Sequence, residues 1–255
     1  MTKTRNRIYK ISIALSTVFL MLTSASVKAE VKHVLELFTS QACYSCPPAE
    51  ELLGEIVSKY DDVLCLEFHV DYWNSINYGE YGQWQDPFSA PAYSKRQRDY
   101  DELSLEGRKG VYTPQMIMDG RTAFVGSQTP RANYHLQKES KFVLSASAQL
   151  SESGTVTVQV DGKHDSPADV WLITLDVKQT TVIPFGENHG KTLDNFNVVR
   201  DMKSIGAWDG RKLEISSELG ELSDNQNCAV IVQKYDFSSQ SVKGPILGAA
   251  ICKPV

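Results

Sequence analysis

VKHVLELFTSQACYSCPPAEELLGEIVSKYDDVLCLEFHV, residues 31–70, decides the fold class. Val31 to Thr39 is apolar and compatible with a β-strand, and Ser40-Gln41-Ala42 turns it into Cys43-Tyr44-Ser45-Cys46-Pro47-Pro48. Proline is tolerated in a first helical turn, where its missing N–H would be unpaired anyway. Leu52, Leu53, Ile56 and Val57 then recur at helical spacing between Ala49 and Tyr60, and Asp61-Asp62 breaks the helix. Val63 to Val70 has almost no polar alternation, as expected of a parallel strand covered on both faces. Strand, helix, strand makes a βαβ unit with C-x-x-C at the helix start.

Working outward, residues 71–109 interrupt the pattern with loops and an expected helix from Ala92 to Leu103. This stretch carries eight aromatics in thirty-nine positions, about twice the 9% of the whole chain, so it has a wall or core of its own to build. Val111-Tyr112-Thr113-Pro114 leads into a strand from Gln115 to Met118. Asp119-Gly120 is a two-residue hairpin signal before Thr122 to Val125, and Thr129 to Ser140 forms a last helix. Beyond Lys141 the texture changes to strands: Phe142 to Leu150, Thr155 to Val160, Val170 to Lys178, Lys212 to Ser216, Cys228 to Tyr235 and Pro245 to Cys252. Short strands between Gly, Asp and Ser turns read as an antiparallel sandwich. A domain boundary is therefore expected near residue 140.

The N-terminus joins Lys3, Arg5, Arg7 and Lys10 to an apolar run from Ile11 to Leu22 and a small-residue stretch ending at Ala29. About twelve apolar residues are too few for a spanning helix, which needs about twenty, so residues 1–29 read as a secretory signal peptide. No stable membrane insertion is expected after cleavage. The 255-residue chain has a net charge of −5, and loss of residues 1–29 removes five basic residues and no acidic one, leaving −10. An acidic, exported chain is a poor match for nucleic acid. Its five cysteines are expected in a compartment where disulfides form.

The chemistry centres on Cys43 and Cys46. A thiol at a helix N-terminus is acidified by the helix dipole and unpaired backbone N–H groups. Cys43 is thus expected as an exposed nucleophile and Cys46, one turn inside, as the resolving thiol. Half of a zinc site has the same spacing, but no second C-x-x-C or H-x-x-x-H follows. In a thioredoxin fold a cis-proline faces the dithiol where this chain has Thr113-Pro114, exposing the Thr113 backbone to an extended substrate.

Glu36, in an apolar strand, is either a buried acid that relays a proton from Cys46 or an edge carboxylate. Tyr44 and Ser45 lie between the cysteines and bring no charge. His69, Asp71 and Trp73 follow the second strand and Trp84 lies in the insert; they wall the dithiol or anchor an aromatic mini-core, and His69 is also a candidate third ligand for a metal held by the two cysteines. Arg96, Gln97 and Arg98 read as a solvated helix face, Cys65 as a buried filler, and Cys228 with Cys252 as a candidate structural disulfide. The polar stretch from Glu187 to Arg200 is a loop folded over the dithiol or a sandwich edge with Arg200 buried, the edge being the simpler reading.

The segments VLELFTSQACYSCPPAEELL, FHVDYW, WQDPFSAPAYSKRQRDY, GVYTPQMIMDG and GENHGKTLDNFNVVRDM resemble a bacterial secreted thioredoxin-like family described as a domain of unknown function. The resemblance covers nearly all of residues 31–252. It implies a thioredoxin-like α/β domain over 30–140 with the insert 71–109, a β-rich, sandwich-like region over 141–255, and a dithiol site at Cys43 and Cys46. It implies no substrate. Ala42 stands where thioredoxin itself usually has Trp. The expected activity is thiol–disulfide exchange without an organic cofactor, in the periplasm or outside the cell, on protein thiols or disulfides of the envelope. The alternatives are a soft-metal carrier, since thiolates select Cu(I), and an envelope protein with a permanent bridge.

Overall fold

Side chains along a strand alternate between two faces, and here that alternation sets the layers. In the computed structural model, which describes residues 30–255 apart from 237, 239 and 240, β1 (His33–Thr39) and β2 (Val63–His69) pair in parallel, joined by α1 (Pro47–Lys59). The expected signal peptide lies outside the described residues. Leu35, Leu37 and Cys65 pack with Leu53 and Ile56 of α1. Val34, Phe38, Leu64, Leu66 and Phe68 form the opposite face, covered by Tyr93 and Tyr100 of α2 (Pro91–Glu102). Both faces of β1 and β2 are thus buried, which is why their sequences show so little polar alternation.

After the short β3 (Glu106–Gly107), β4 (Gln115–Met118) runs antiparallel to β1, and β5 (Thr122–Val125) antiparallel to β4. The turn between them holds Asp119 and Gly120 at φ 55° and 62°, the left-handed pair that a two-residue hairpin requires. α3 (Thr129–Leu136) follows, shorter than the sequence suggested. Then come β6 (Leu144–Leu150), β7 (Thr155–Gly162), β8 (Ala168–Val182), β9 (Thr192–Trp208), β10 (Leu213–Glu218), β11 (Gln226–Asp236), β12 (Ser241–Ile251) and β13 (Lys253–Pro254).

The change of texture near residue 140 is not a break in the sheet. β9 lies beside β2, in parallel at Glu67 and Val198, and one nine-stranded sheet runs β12-β11-β8-β9-β2-β1-β4-β5-β3. Ile173, Leu175, Val199, Ala229 and Ile231 join the same core as Phe38 and Tyr100, so the two halves share a hydrophobic interior. The expected sandwich exists as a second layer only: β10-β7-β6-β13 stacks on the C-terminal strands of the large sheet. Val156, Val158 and Val160 meet Val170, Leu172, Val230 and the fully buried Trp208 there. Each fully buried aliphatic side chain stabilises the fold by about 1.5–3 kcal/mol relative to exposure. Cys228 and Cys252 are joined across β11 and the residue after β12, within that second core.

β9, 17 residues long, was not foreseen. Its sequence mixes polar with apolar positions because their partners differ: Asn195 serves the polar cluster described below, Asn197 donates to Cys65 O, Asp194 and Arg200 pair with Lys178 and Asp176, and Lys203 donates to Glu218 O. Phe196 lies over α1 so closely that a Cβ on Gly54 would fall 2.5 Å from the ring. Glycine at 54 is what lets β9 cross the helix.

Candidate active site around Cys43 and Cys46

β1 delivers the chain to the turn Ser40–Cys46, and α1 leaves it. Cys43 and Cys46 form a disulfide with Cα atoms 5.4 Å apart, and neither residue has exposed surface, whereas Tyr44 between them is 66% exposed. The expectation of an exposed Cys43 is therefore corrected: the turn faces inward. The helix start also differs from expectation. Pro47 and Pro48 have no N–H, and the next two amides, of Ala49 and Glu50, both donate to Cys46 O. Free amides at the helix N-terminus are thus absent, and the polar neighbours of Cys43 Sγ are hydroxyls. Thr113 Oγ1 donates to it at 3.3 Å, and Ser45 Oγ lies 3.5 Å away. Trp73 Nε1 donates to Thr113 Oγ1 at 2.9 Å and so fixes that hydroxyl. The Thr113–Pro114 bond is cis.

Beneath the turn, on the α1 side of the sheet, lies a buried polar cluster. Thr39 Oγ1 donates to Glu50 Oε1 at 2.7 Å, while Glu50 Oε2 is buried with no hydrogen-bond partner. His69 Nδ1 meets Asp86 Oδ2 at 2.7 Å, and His69 Nε2 lies 3.5 Å from Glu67 Oε1, too far for a hydrogen bond. Glu67 accepts from Asn195 Nδ2 at 2.8 Å and from the Phe196 N–H at 2.7 Å. Gln41 closes the ring: its Nε2 donates to Asn195 Oδ1 at 3.0 Å and its N–H to Asp86 Oδ2 at 2.8 Å. Trp84 Nε1 donates to Gln41 Oε1 at 3.2 Å.

The charges in this cluster do not balance, since three carboxyl groups face one imidazole. Burial, and then the neighbouring Glu67, push the Glu50 carboxyl up to about 8. Burial disfavours charge on His69, but Asp86 and Glu67 outweigh it and raise the imidazole to about 10. Asp86 is held below the usual carboxylate range: burial opposes this, and the His69 charge with the Gln41 and Phe88 amides overcomes it. The site at neutral pH therefore holds a neutral Glu50 beside a His69–Asp86 ion pair.

The structure gathers Cys43, Cys46, Ser45, Thr113, Pro114 and Trp73 at the turn, with His69 and Trp84 serving the cluster beneath. Tyr44 points outward, with Lys191 Nζ 4.5 Å over its ring. Asp71 is elsewhere: its carboxylate accepts from Ser94 Oγ and ties down α2. His69 commits Nδ1 to Asp86, and among the described residues no group of three His, Cys, Asp or Glu side chains is placed to hold a metal ion, which corrects its candidacy as a metal ligand with the cysteines. Glu36 is corrected on both readings. It is fully buried on the α2 side of the sheet, away from α1, where Oε1 pairs with Arg96 Nε at 2.7 Å and Oε2 accepts from Tyr100 Oη at 2.5 Å. Arg96 and Gln97 are buried with it rather than solvated, while Arg98 is exposed. Cys65 is a buried free thiol, its pKa pushed up by burial first and by Glu67 second.

Between β8 and β9 the preferred reading of a sandwich edge is overturned. Asn188, wholly buried, donates from Nδ2 to both Gln41 O and Cys43 O at 2.9 Å, and Glu187 Oε2 accepts the Tyr44 N–H at 2.8 Å. Arg200 is exposed, its Nε 3.6 Å from Asp176. Glu50 and Glu67 were not foreseen as site residues, yet a signal was present: Glu50 stands four positions after Cys46, on the same helix face, and Glu67 shares the alternation of Cys65 and His69.

What fold and site define is a mixed α/β protein, mostly sheet, with an inward-facing disulfide at a strand-to-helix turn over a charged, buried cluster. The chain belongs to the family described as "Protein of unknown function (DUF1223)", whose model matches residues 34–233. It is similar to an X-ray crystal structure of a protein from Agrobacterium tumefaciens at 30% identity, with a TM-score of 0.67, over 88% of this chain and 94% of that one. An alkylpurine DNA glycosylase from Pseudomonas fluorescens, bound to DNA, is 13% identical at a TM-score of 0.22 over 49% of this chain and 34% of that one, a likeness that carries no argument. No curated protein matches.

Proposed function

We propose that the chain is a thioredoxin-like thiol–disulfide exchange protein of the periplasm or the extracellular space, acting on protein thiols or disulfides there. The observation that carries the reading is the Cys43–Cys46 disulfide at the strand-to-helix turn, with the Thr113 hydroxyl on the Cys43 sulfur and the carboxyl of Glu50 one helical turn beyond Cys46. A hydroxyl donor stabilises a thiolate on Cys43 once the bridge is reduced. That thiolate attacks a partner disulfide, forming a mixed disulfide and releasing one partner thiolate. Cys46 then passes its proton to the ionised form of Glu50, the minor form at neutral pH and the major one above about 8, and attacks Cys43 Sγ, so the second partner sulfur leaves as a thiolate, the partner gains two electrons and the 43–46 bridge re-forms. Read in reverse, the same steps oxidise a partner dithiol. Glu50, with its carboxyl raised to about 8, takes the proton-relay role expected of Glu36.

Trapping tests it. Cys46→Ser removes the resolving thiol and is expected to accumulate mixed disulfides with other proteins, visible as off-diagonal spots on nonreducing–reducing gels, while Cys43→Ser accumulates none. Absence of adducts, together with a bridge that dithiothreitol leaves intact in the folded protein, would make the disulfide structural.

A further inference from the structure

The tip of the β8–β9 hairpin, residues 183–191, has no part in the exchange steps, yet it grips the Cys43 turn through three backbone groups. Asn188 Nδ2 donates to Gln41 O and Cys43 O, and Glu187 accepts the Tyr44 N–H. Asn188 is itself positioned, its Oδ1 accepting from Lys191 Nζ at 2.9 Å. The tip is braced by its own turn, with His189 N–H on Gly186 O and Lys191 N–H on Asn188 O, and by the Gly186 N–H on Tyr81 O at 2.7 Å. Tyr44, Tyr81 and Phe185, all at least half exposed, stand on the segments so joined.

Both cysteines are shut off from solvent, so a partner sulfur reaches Cys43 only if the turn rotates outward. Rotation of Gln41–Tyr44 breaks all three bonds to the tip. The groups then released, two carbonyls and one N–H along a four-residue stretch, are main-chain groups of the kind an extended peptide satisfies with its own backbone. We propose that this hairpin tip is a displaceable clamp that holds the Cys43 turn inward, and that the partner which displaces it is an extended polypeptide segment, whose backbone replaces the side chains of Asn188 and Glu187. The exposed aromatic rings beside the turn suit the apolar side chains of such a segment, which a small thiol lacks. The identity of the partner rests on the exchange reading above; the clamp itself does not.

The clamp is tested by the rate at which dithiothreitol reduces the 43–46 bridge. The reagent supplies both electrons and both protons and closes to its own cyclic disulfide, so no further reductant is involved. Asn188→Ala removes two of the three bonds and is expected to speed reduction about tenfold, since the rate follows the fraction of open turn. Glu187→Ala, at an exposed side chain, removes the third bond and is expected to speed it about threefold with folding unaffected. Reduced, unfolded ribonuclease as electron donor tests the partner: wild type is expected to react with it faster than with glutathione at equal thiol, and Asn188→Ala is expected to narrow that preference. Rates within twofold of wild type for both variants would overturn the clamp. A faster dithiothreitol reaction with no preference for the polypeptide would overturn the partner and leave the clamp. Failure of the Cys46→Ser trap leaves the dithiothreitol result standing, so the exchange reading and the clamp fail separately.

Discussion

Glu36 and Glu50 are carboxyl groups on opposite sides of β1, both closed to water, and their surroundings differ in how charge is met. Glu36 has a guanidinium at 2.7 Å and a tyrosine hydroxyl on its second oxygen, and Arg96 in turn donates to Tyr100 Oη and Gln233 Oε1 at 2.9 and 2.8 Å. Every strong demand there is answered by protein. Glu50 has one threonine hydroxyl, a carboxylate neighbour and an oxygen left without a partner. The first arrangement locks α2 to β1 and β11. The second keeps a proton beside a disulfide, and an unbalanced site is what proton transfer requires.

The comparison breaks most visibly at Arg96. Arg96→Met leaves the Glu36 charge uncompensated in the core and is expected to cost about 3–5 kcal/mol of unfolding free energy by urea titration. Pairing it with Glu36→Met should recover most of that, since an apolar pair of similar volume often replaces a buried ion pair without loss. A single variant as stable as wild type would place Glu36 with Glu50 and end the contrast.

Glu50 sharpens the other side. Its ordinary value is 4.5 and its folded value about 8, so the stability given by the protonated form is fully present below pH 4.5 and lost as the pH rises through about 8. Glu50→Gln is expected to flatten the stability profile over that window, gaining on the order of 2 kcal/mol over wild type at its alkaline end. With Cys46 present, the same variant should slow resolution of a mixed disulfide formed on Cys43 by about a hundredfold, the usual size of general acid–base assistance. A wild-type profile already flat from pH 5 to 8 would show the Glu50 proton to be unexceptional.

The smallest expected effect is a null titration. The His69 imidazole, raised to about 10, is expected to keep its proton, and its ring carbon-bound proton resonances to stay fixed, from pH 6 to 8. The stability it lends is fully present below its ordinary 6.5 and is lost only as the pH rises through about 10. A midpoint near 6.5 in the NMR titration would dissolve the ion pair with Asp86, while the neutrality of Glu50, which rests on burial and Glu67 and is opposed by the His69 charge, would stand.

Much of the fold was legible because β1, α1 and β2 are governed by local rules: an apolar strand, two prolines opening a helix, an aspartate pair closing it. The Asp119-Gly120 turn and the late apolar strands were legible for the same reason. β9 was not, because its polar side chains answer groups far away in sequence: Asn195 answers Glu67 and Gln41, and Asn197 donates to Cys65 O at 3.1 Å. Periodicity reports solvent against core and is silent on a strand whose inner edge is itself polar. The dithiol and Thr113 were found by motif. Glu36 was misplaced because the sequence shows that a carboxylate is buried, and only the packing of α2 shows on which side and with whom. The clamp was the hardest to see, since Asn188 acts on backbone carbonyls, which every residue has.

The β8–β9 ribbon also sets the order in which the chain can mature. β2 has β1 on one side, but its other neighbour is centred on Val198, and Glu67 obtains both of its partners from Asn195 and Phe196. A nascent chain that has reached residue 140 therefore carries an unpaired strand edge and a buried acid with nothing to hold it, the kind of surface that recruits wrong partners. Contacts so distant in sequence make for slow closure, and no point between β2 and β9 offers a place to stop. Limited proteolysis of the folded protein should accordingly yield no stable fragment cut near residue 140, and a gene truncated there should give an insoluble product. The Cys43–Cys46 turn is thus finished last, by the half of the chain that carries neither of its cysteines.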